Sequence, residues 1–255
     1  MNQRISILGC GWLGMALAVD LVDKGYRVYG STTSNTKIKE LKTKGITPFV
    51  IDISEKNLNF LDFLVTDILI IAITSKNSSD IKNLIKKIEK SEVRKILFVS
   101  STSVYTNTNG VVTEETNTNN SPLANIENLF KTNSFFETTI IRFGGLFGYD
   151  RKPGNFIKSD KKIENPEGFM NLIHRDDCVQ IMEQIIRKDT WNNVLNACSD
   201  SHPTRREFYS KEAKKLGKSI VLFNERSENN YKIVNSEKIK NLLDYEFKYA
   251  DLLNY

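Results

Sequence analysis

The stretch Ile7–Gly14, ILGCGWLG, carries three glycines at the spacing G-x-G-x-x-G between a short apolar run and a helical pattern. In that context the spacing suits a pyrophosphate. Gly9 is expected to make the tight turn, Gly11 to leave room for a phosphate near the backbone, and Gly14 to let the helix pack close to the strand. The helix start then offers the amides of Trp12, Leu13 and Gly14, with the positive end of its dipole, to the phosphates. A dinucleotide is the expected ligand.

The end of the second strand sorts dinucleotides, because NAD-binding folds place an Asp or Glu there to hold the ribose 2′-hydroxyl. Here the chain reads YGSTTSNTK over Tyr29–Lys37. Ser31, Thr32 and Thr33 offer hydroxyls, Lys37 adds a cation, and the carboxylate that would repel a 2′-phosphate is missing. NADP is therefore the expected cofactor, with NAD as the alternative. The same hydroxyls also suit the capping of a helix that begins near Asn35.

Such groups need a sheet to hold them. Apolar runs at Arg4–Leu8, Arg27–Gly30, Thr47–Ile51, Ile68–Ile73, Lys95–Ser100 and Thr138–Phe143 read as buried parallel strands. Helical patterns alternate with them at Trp12–Lys24, Asn35–Lys44, Asp80–Lys90 and Pro122–Thr132, the first two stopped by Gly25 and Gly45. The fold class is α/β, a Rossmann-type doubly wound, mostly parallel sheet. A loop, GYDRKPGNFIKSDKKIENPEG, follows the sixth strand and is too long for an ordinary connection. After it come FMNLI, a helix over Asp176–Arg187, a strand NVLNAC, a helix over Thr204–Leu216 and a last strand SIVLF. The expected organisation is a dinucleotide-binding core over residues 1–150 and a small C-terminal substrate lobe over 151–255, whose pieces extend the core sheet in one compact unit.

Cys10, Cys178 and Cys198 are too few and too scattered for a disulfide framework, and with His174 and His202 they give no metal-ligand spacing. Buried thiols and no metal are expected. The aliphatic run Ile68–Ile73 falls far short of the roughly 20 residues a spanning helix needs. The start MNQRISILGC has no signal-peptide pattern, so a cytoplasmic chain without a membrane partner is expected. The net charge of +5 is modest, and the lysines of Lys82–Lys95 form the solvated face of an amphipathic helix buried through Ile81, Leu84, Ile85 and Ile88. No nucleic-acid partner is expected.

FVSSTSVY (Phe98–Tyr105) resembles the fourth-to-fifth strand region of the extended short-chain dehydrogenases/reductases, the NAD-dependent epimerase/dehydratase family. IRFGGLFG is similar to the family's R-P-x-x-x-Y-G segment, NLIHRDD to its N-x-x-H-x-x-D motif, and VLNACSDSHPTRREFYSKEAKKLG to its late strand and helix. With GCGWLGMALA, the pattern resembles the bacterial YeeZ-like atypical members. The resemblance implies that Asp52 and Ile53 lie against adenine, that Ala72 borders the ribose, and that Ser101 stands where the family has its active-site Ser or Thr.

Two departures bear on chemistry. In the extended enzymes a Tyr with Lys four residues later transfers the proton, the cation lowering the phenol pKa. No Tyr here has Lys at that spacing, and aligning Glu127 with the family's helix Glu puts Asn119 and Leu123 at the two positions. The acidic residues that dehydratases carry after the active-site Thr are replaced by Thr102 and Ser103, which excludes sugar dehydration by the usual route. Tyr105 and His174 are left as substitute proton donors, each also suited to a packing role.

Arg151, Lys152 and Arg175 form a basic set after the sixth strand and beside NLIHRDD, suited to a carboxylate or phosphate on a small-molecule substrate. The expected function is that of an oxidoreductase or epimerase-like enzyme on a small polar metabolite, sugar-linked and anionic, with no metal. The alternative is a non-catalytic NADP-sensing regulatory or scaffold protein. A β-hydroxyacid dehydrogenase would share the glycine motif but needs a long helical C-terminal domain in place of the late strands.

Overall fold

The computed structural model describes residues 3–55, 60–157, 161–217 and 221–255. Eleven strands and seven α-helices are described. They are β1 (Arg4–Leu8), α1 (Trp12–Asp23), β2 (Arg27–Thr32), α2 (Ile38–Thr43), β3 (Thr47–Val50), β4 (Ile68–Ile71), α3 (Ser78–Ile88), β5 (Lys95–Ser101) and β6 (Gly110–Val112). They continue with α4 (Pro122–Lys131), β7 (Glu137–Phe143), β8 (Gly145–Phe147), β9 (Leu172–His174), α5 (Arg175–Arg187), β10 (Val194–Ala197), α6 (Arg205–Lys215), β11 (Lys232–Val234) and α7 (Glu237–Leu243).

Seven strands form one sheet in the order β10-β7-β5-β4-β1-β2-β3, parallel at each pairing from β5 to β3. The chain order reverses at β1, which lies between β4 and β2, and this is the point where open α/β sheets bind ligands beyond the strand ends. All six strands read from the apolar runs are present, within two residues at each end. The helix expected over Asn35–Lys44 is a 3-10 turn at Asn35–Lys37 followed by α2.

The chain divides into two compact units, the first made of Met1–Ser100, Asn120–Ile141 and Val179–Val194, the second of Ser101–Asn119, Arg142–Cys178 and Leu195–Tyr255. In the first, the apolar faces of α3 and α4 bury Ile81, Leu84, Ile85, Ile88, Ile126 and Phe130 with Leu69, Ile71, Ile96 and Phe98 of the strands. Phe98 and Phe130 stack at 4.9 Å between ring centroids. Asn77 and Ser121 cap the two helices by accepting from first-turn amides, which fixes where each helix begins.

The second unit holds two small parallel pairs, β6 with β11 and β8 with β9, and a core that includes Phe147, Met170, Phe208 and Leu252. Within NLIHRDD, the Asn171 side chain donates to the Lys232 carbonyl and accepts from the Val234 amide, both at 2.9 Å. Fully buried Asp177 accepts from the Tyr245 hydroxyl at 2.6 Å and from the amides of Lys248 and Tyr249 at 2.8 and 3.1 Å. The motif's Asn and Asp thus pin the C-terminal segments in place. Of FMNLI only Leu172 and Ile173 are in a strand. SIVLF begins at Ser219 and Ile220, which lie outside the described residues, and Phe223 makes a single bridge to Ile163.

Candidate cofactor and substrate sites

Beyond the C-terminal ends of β1, β2 and β4 lies a cleft of about 350 Å³. It is lined by Gly9, Cys10 and Gly11, by Ser31, Thr32, Thr33 and Lys37, by Asp52, Ile53 and Ser54, by Ala72–Ser75, and by Asp80. Three segments far apart in sequence and expected to share a ligand therefore meet. Gly9 sits at φ +100°, and a Cβ there would come within 2.7 Å of the Ala72 carbonyl oxygen. A Cβ on Gly14 would lie 2.1 Å from the Gly9 carbonyl oxygen, so the glycine permits the close passage of α1 past the turn. A Cβ on Gly11 would meet no atom within 4 Å, and that open space in front of the helix start is a cradle of the kind a pyrophosphate fills. The residues present fit a dinucleotide.

Trp12, Leu13 and Gly14 do not line the cleft; Leu13 and Gly14 are buried behind the turn. Their expected contribution reduces to main-chain amides at the start of α1. The Cys10 side chain turns back into the protein and occupies the space that a Cβ on Gly30 would need. Burial pushes its thiol up to about 12. Cys178 and Cys198 are likewise buried and free, and among the described residues no group of His, Cys, Asp and Glu could hold a metal ion.

At the end of β2, Thr32 Oγ1 accepts from the Ser34 amide at 3.2 Å, and Ser34 Oγ caps the following turn by accepting from the Thr36 amide at 3.3 Å. Thr33 and Lys37 are exposed within the cleft. Asp52 accepts from the amide and the hydroxyl of Ser54 at 2.9 and 2.7 Å, and these bonds hold its carboxyl below the usual range. Thr74, Ser75 and Asp80 were not anticipated in the cleft. The signal was the polar stretch TSKNSSD directly after the apolar run of β4.

In the second unit, Ser101 ends β5 and opens a 3-10 turn over Thr102–Val104, its Oγ accepting from the Ser103 amide at 3.2 Å. Its hydroxyl hydrogen still serves as a donor. The Asn119 side chain donates to the Ser103 carbonyl at 3.0 Å and its amide to the Val104 carbonyl at 2.7 Å. The position where the family's Tyr was expected therefore does lie beside the Ser101 turn.

Tyr105 is corrected from proton donor to packing residue. It is 2% exposed; its O–H donates to Asn196 Oδ1 at 2.8 Å and its oxygen accepts from Arg142 at 2.6 Å. Its one proton is committed, and burial raises its pKa. His174 is also enclosed, with its ring 3.7 Å from that of Tyr249 and 5.2 Å from that of Phe147 between centroids. Its Nδ1 accepts from the Asp176 amide at 3.2 Å, and burial lowers its pKa, which favours the neutral ring protonated on Nε2. Arg151 and Lys152 are exposed, while Arg175 stacks over the Tyr149 ring at 4.0 Å. Arg151 closes a two-way main-chain bridge with Gly148 around Tyr149, so Arg151 and Arg175 flank one turn.

No helix among the described residues is long and apolar enough to cross a membrane. A family model for the NAD binding domain of 6-phosphogluconate dehydrogenase matches residues 4–123, the stretch that contains the glycine turn. Protein YeeZ of Escherichia coli (strain K12) is 29% identical over 271 residues, covering 98% of both chains. Among solved structures, a functionally unknown conserved protein from Silicibacter pomeroyi DSS superposes with a TM-score of 0.84 at 18% identity, covering 99% of this chain and 96% of that one. UDP-glucuronic acid 4-epimerase from Bacillus cereus, in complex with UDP-glucuronic acid and NAD, gives 0.78 at 18% identity over 99% and 96%. These structural likenesses establish the fold. The similarity to YeeZ extends along nearly the whole of both chains.

Proposed function

We propose that the chain binds a nicotinamide dinucleotide in the cleft around Gly9, prefers NADP to NAD, and acts as an oxidoreductase or epimerase-like enzyme on a small polar, anionic metabolite. The observation that carries this reading is the convergence of the glycine turn, the hydroxyls and Lys37 after β2, and Asp52 and Ile53 after β3 on one cleft. A bound nicotinamide would supply or accept hydride. The chain's own part is to position and polarise: the amides at the start of α1 face the pyrophosphate, and Lys37 with Thr33 receives a 2′-phosphate. The Ser101 hydroxyl donates a hydrogen bond to a substrate carbonyl and strengthens it as negative charge develops on the oxygen. The UDP-glucuronic acid bound by the Bacillus cereus epimerase supports an acid sugar linked to a nucleotide as one member of the substrate class.

A second reading is a non-catalytic NADP sensor. Asn119 in place of Tyr, and the engagement of the Tyr105 hydroxyl by Asn196 and Arg142, favour it. Equilibrium titration with NADPH and NADH tests the binding claim that both readings share. Turnover separates them: reduction of NADP by sugar nucleotides, oxidation of NADPH by small keto acids, or epimerisation of a sugar nucleotide read by chromatography supports the enzyme, and tight binding with none of these supports the sensor.

A further inference from the structure

Lys232, on β11, directs its ammonium to the main-chain carbonyl of Tyr105 at 2.8 Å. Tyr105 closes the same turn that Ser101 opens, its amide donating back to the Thr102 carbonyl at 3.2 Å. The lysine is half-buried. Lys95 and Lys240, half-buried as well, each have an acidic partner. Among the described residues Lys232 has none within 4.0 Å. The titratable group that acts on it is Cys198, a fully buried thiol pushed up to about 12 and so uncharged at neutral pH.

An ammonium carries three N–H donors, and one is used by the Tyr105 carbonyl. Two remain on a cation that is partly withdrawn from water and has no counter-charge, an arrangement that costs free energy until an anion or a proton loss relieves it. Burial lowers the lysine's pKa, and an anion beside the ammonium would offset that cost. Glu114, whose Oε1 accepts from the Asn196 amide at 2.7 Å, makes no ion pair with Lys232 within 4.0 Å.

We infer that Lys232 is an anion-binding residue of the substrate site, taking a carboxylate or phosphate oxygen of the substrate beside the turn headed by Ser101. The inference rests on the reading of an anionic substrate given above and locates its charge partner on β11. Lys232 would then discriminate acid sugars or phosphorylated metabolites from their neutral counterparts.

Residue-resolved acetylation tests it. The native protein is treated with acetic anhydride and each lysine's rate is read by mass spectrometry in malonate, inorganic phosphate or chloride at matched ionic strength. At ten times the dissociation constant, the Lys232 rate should fall by about tenfold, while exposed Lys39 is unchanged. Protection by malonate alone assigns a carboxylate, by phosphate alone a phosphoryl group, and by both a general oxyanion site. No protection by either, or equal protection by chloride, overturns the inference. If burial leaves Lys232 unlabelled, the malonate-dependent rise in thermal midpoint is compared between the wild type and Lys232→Gln, which retains a donor for the Tyr105 carbonyl. Loss of the rise supports the site and an unchanged rise overturns it. NADPH titration is run separately, so a failure of cofactor binding counts against the proposed function and leaves the Lys232 result to stand alone.

Discussion

The amide of Gly9 donates to the hydroxyl oxygen of Ser31 at 2.8 Å, and the amide of Cys10 donates to the Ser31 carbonyl at the same distance. The glycine turn and the end of β2, to which the proposal assigns the phosphates and the ribose, are therefore one hydrogen-bonded piece. Ser31→Ala leaves the Gly9 amide without its acceptor. It should lower stability by roughly 1–3 kcal/mol and weaken dinucleotide binding. Chemical denaturation and a fluorescence titration measure the two effects, and wild-type values in both would show the link to be idle.

Lys37 should decide between cofactors. Lys37→Ala should weaken NADPH binding by about tenfold, the order expected for one charge-assisted contact of about 1.5 kcal/mol, and leave NADH almost unaffected. Equal losses for the two would place Lys37 away from the 2′-phosphate.

The glycines of the turn should separate into two kinds. A Gly11 side chain projects into open space, so Gly11→Val should abolish cofactor binding and keep cooperative unfolding. Gly14→Val places its Cβ against the Gly9 carbonyl and should lose the fold's cooperativity as well. Calorimetry with and without NADPH distinguishes them; retained binding in Gly11→Val would remove the turn as the phosphate site.

For an enzyme, Ser101→Ala should lower kcat by about 10²-fold, as for loss of one donor to a developing oxyanion, with little change in NADPH affinity. Because Ser101 also caps its turn, a loss of about 1 kcal/mol in stability is expected alongside. Turnover that survives the substitution would favour the sensor reading.

Period and punctuation made the central sheet legible in advance: β1, β2, β3, β4, β5 and β7 are each rich in apolar or β-branched residues, and Gly25 and Gly45 mark the helix ends at φ +85° and +75°. The glycine turn was equally legible, because its spacing reflects steric demands that only three backbone positions make. The pairs β6 with β11 and β8 with β9 were not. Each strand is three residues long, too short for any periodicity, and each partner lies far along the chain. The role of Tyr105 was hidden for a similar reason: Asn196 and Arg142, which engage its hydroxyl, are brought to it only by the tertiary fold. Lys232 gave no signal in a chain with so many lysines, since what sets it apart is half-burial against the Tyr105 carbonyl with no acid beside it.

The two histidines set an acid limit on stability. Burial holds both His174 and His202 below the ordinary imidazole value. A group whose folded pKa is depressed contributes stability in full above its unfolded pKa, about 6.5 for His, and loses that contribution as pH falls below it. The depressed carboxyls of Asp52, Asp176 and Asp189 act only near and below their unfolded value of about 3.9. The thermal midpoint should therefore drop between about pH 7.5 and about pH 5.5, and drop less in the His174→Gln, His202→Gln double variant. A flat wild-type profile across that interval would contradict this.

The first compact unit draws on three separated stretches, the last of which ends at Val194. During synthesis, at about 5–20 residues per second, the first two stretches emerge well before the last stretch of their unit. Ile140, whose amide donates to the Asn193 carbonyl at 2.8 Å, waits for a partner more than fifty residues downstream. Such long-range closure slows folding and leaves an unpaired strand edge exposed meanwhile. The dinucleotide-binding half is thus not a detachable cassette. A chain cut before Val179 should emerge from the ribosome as a chaperone client rather than as a working cofactor-binding module.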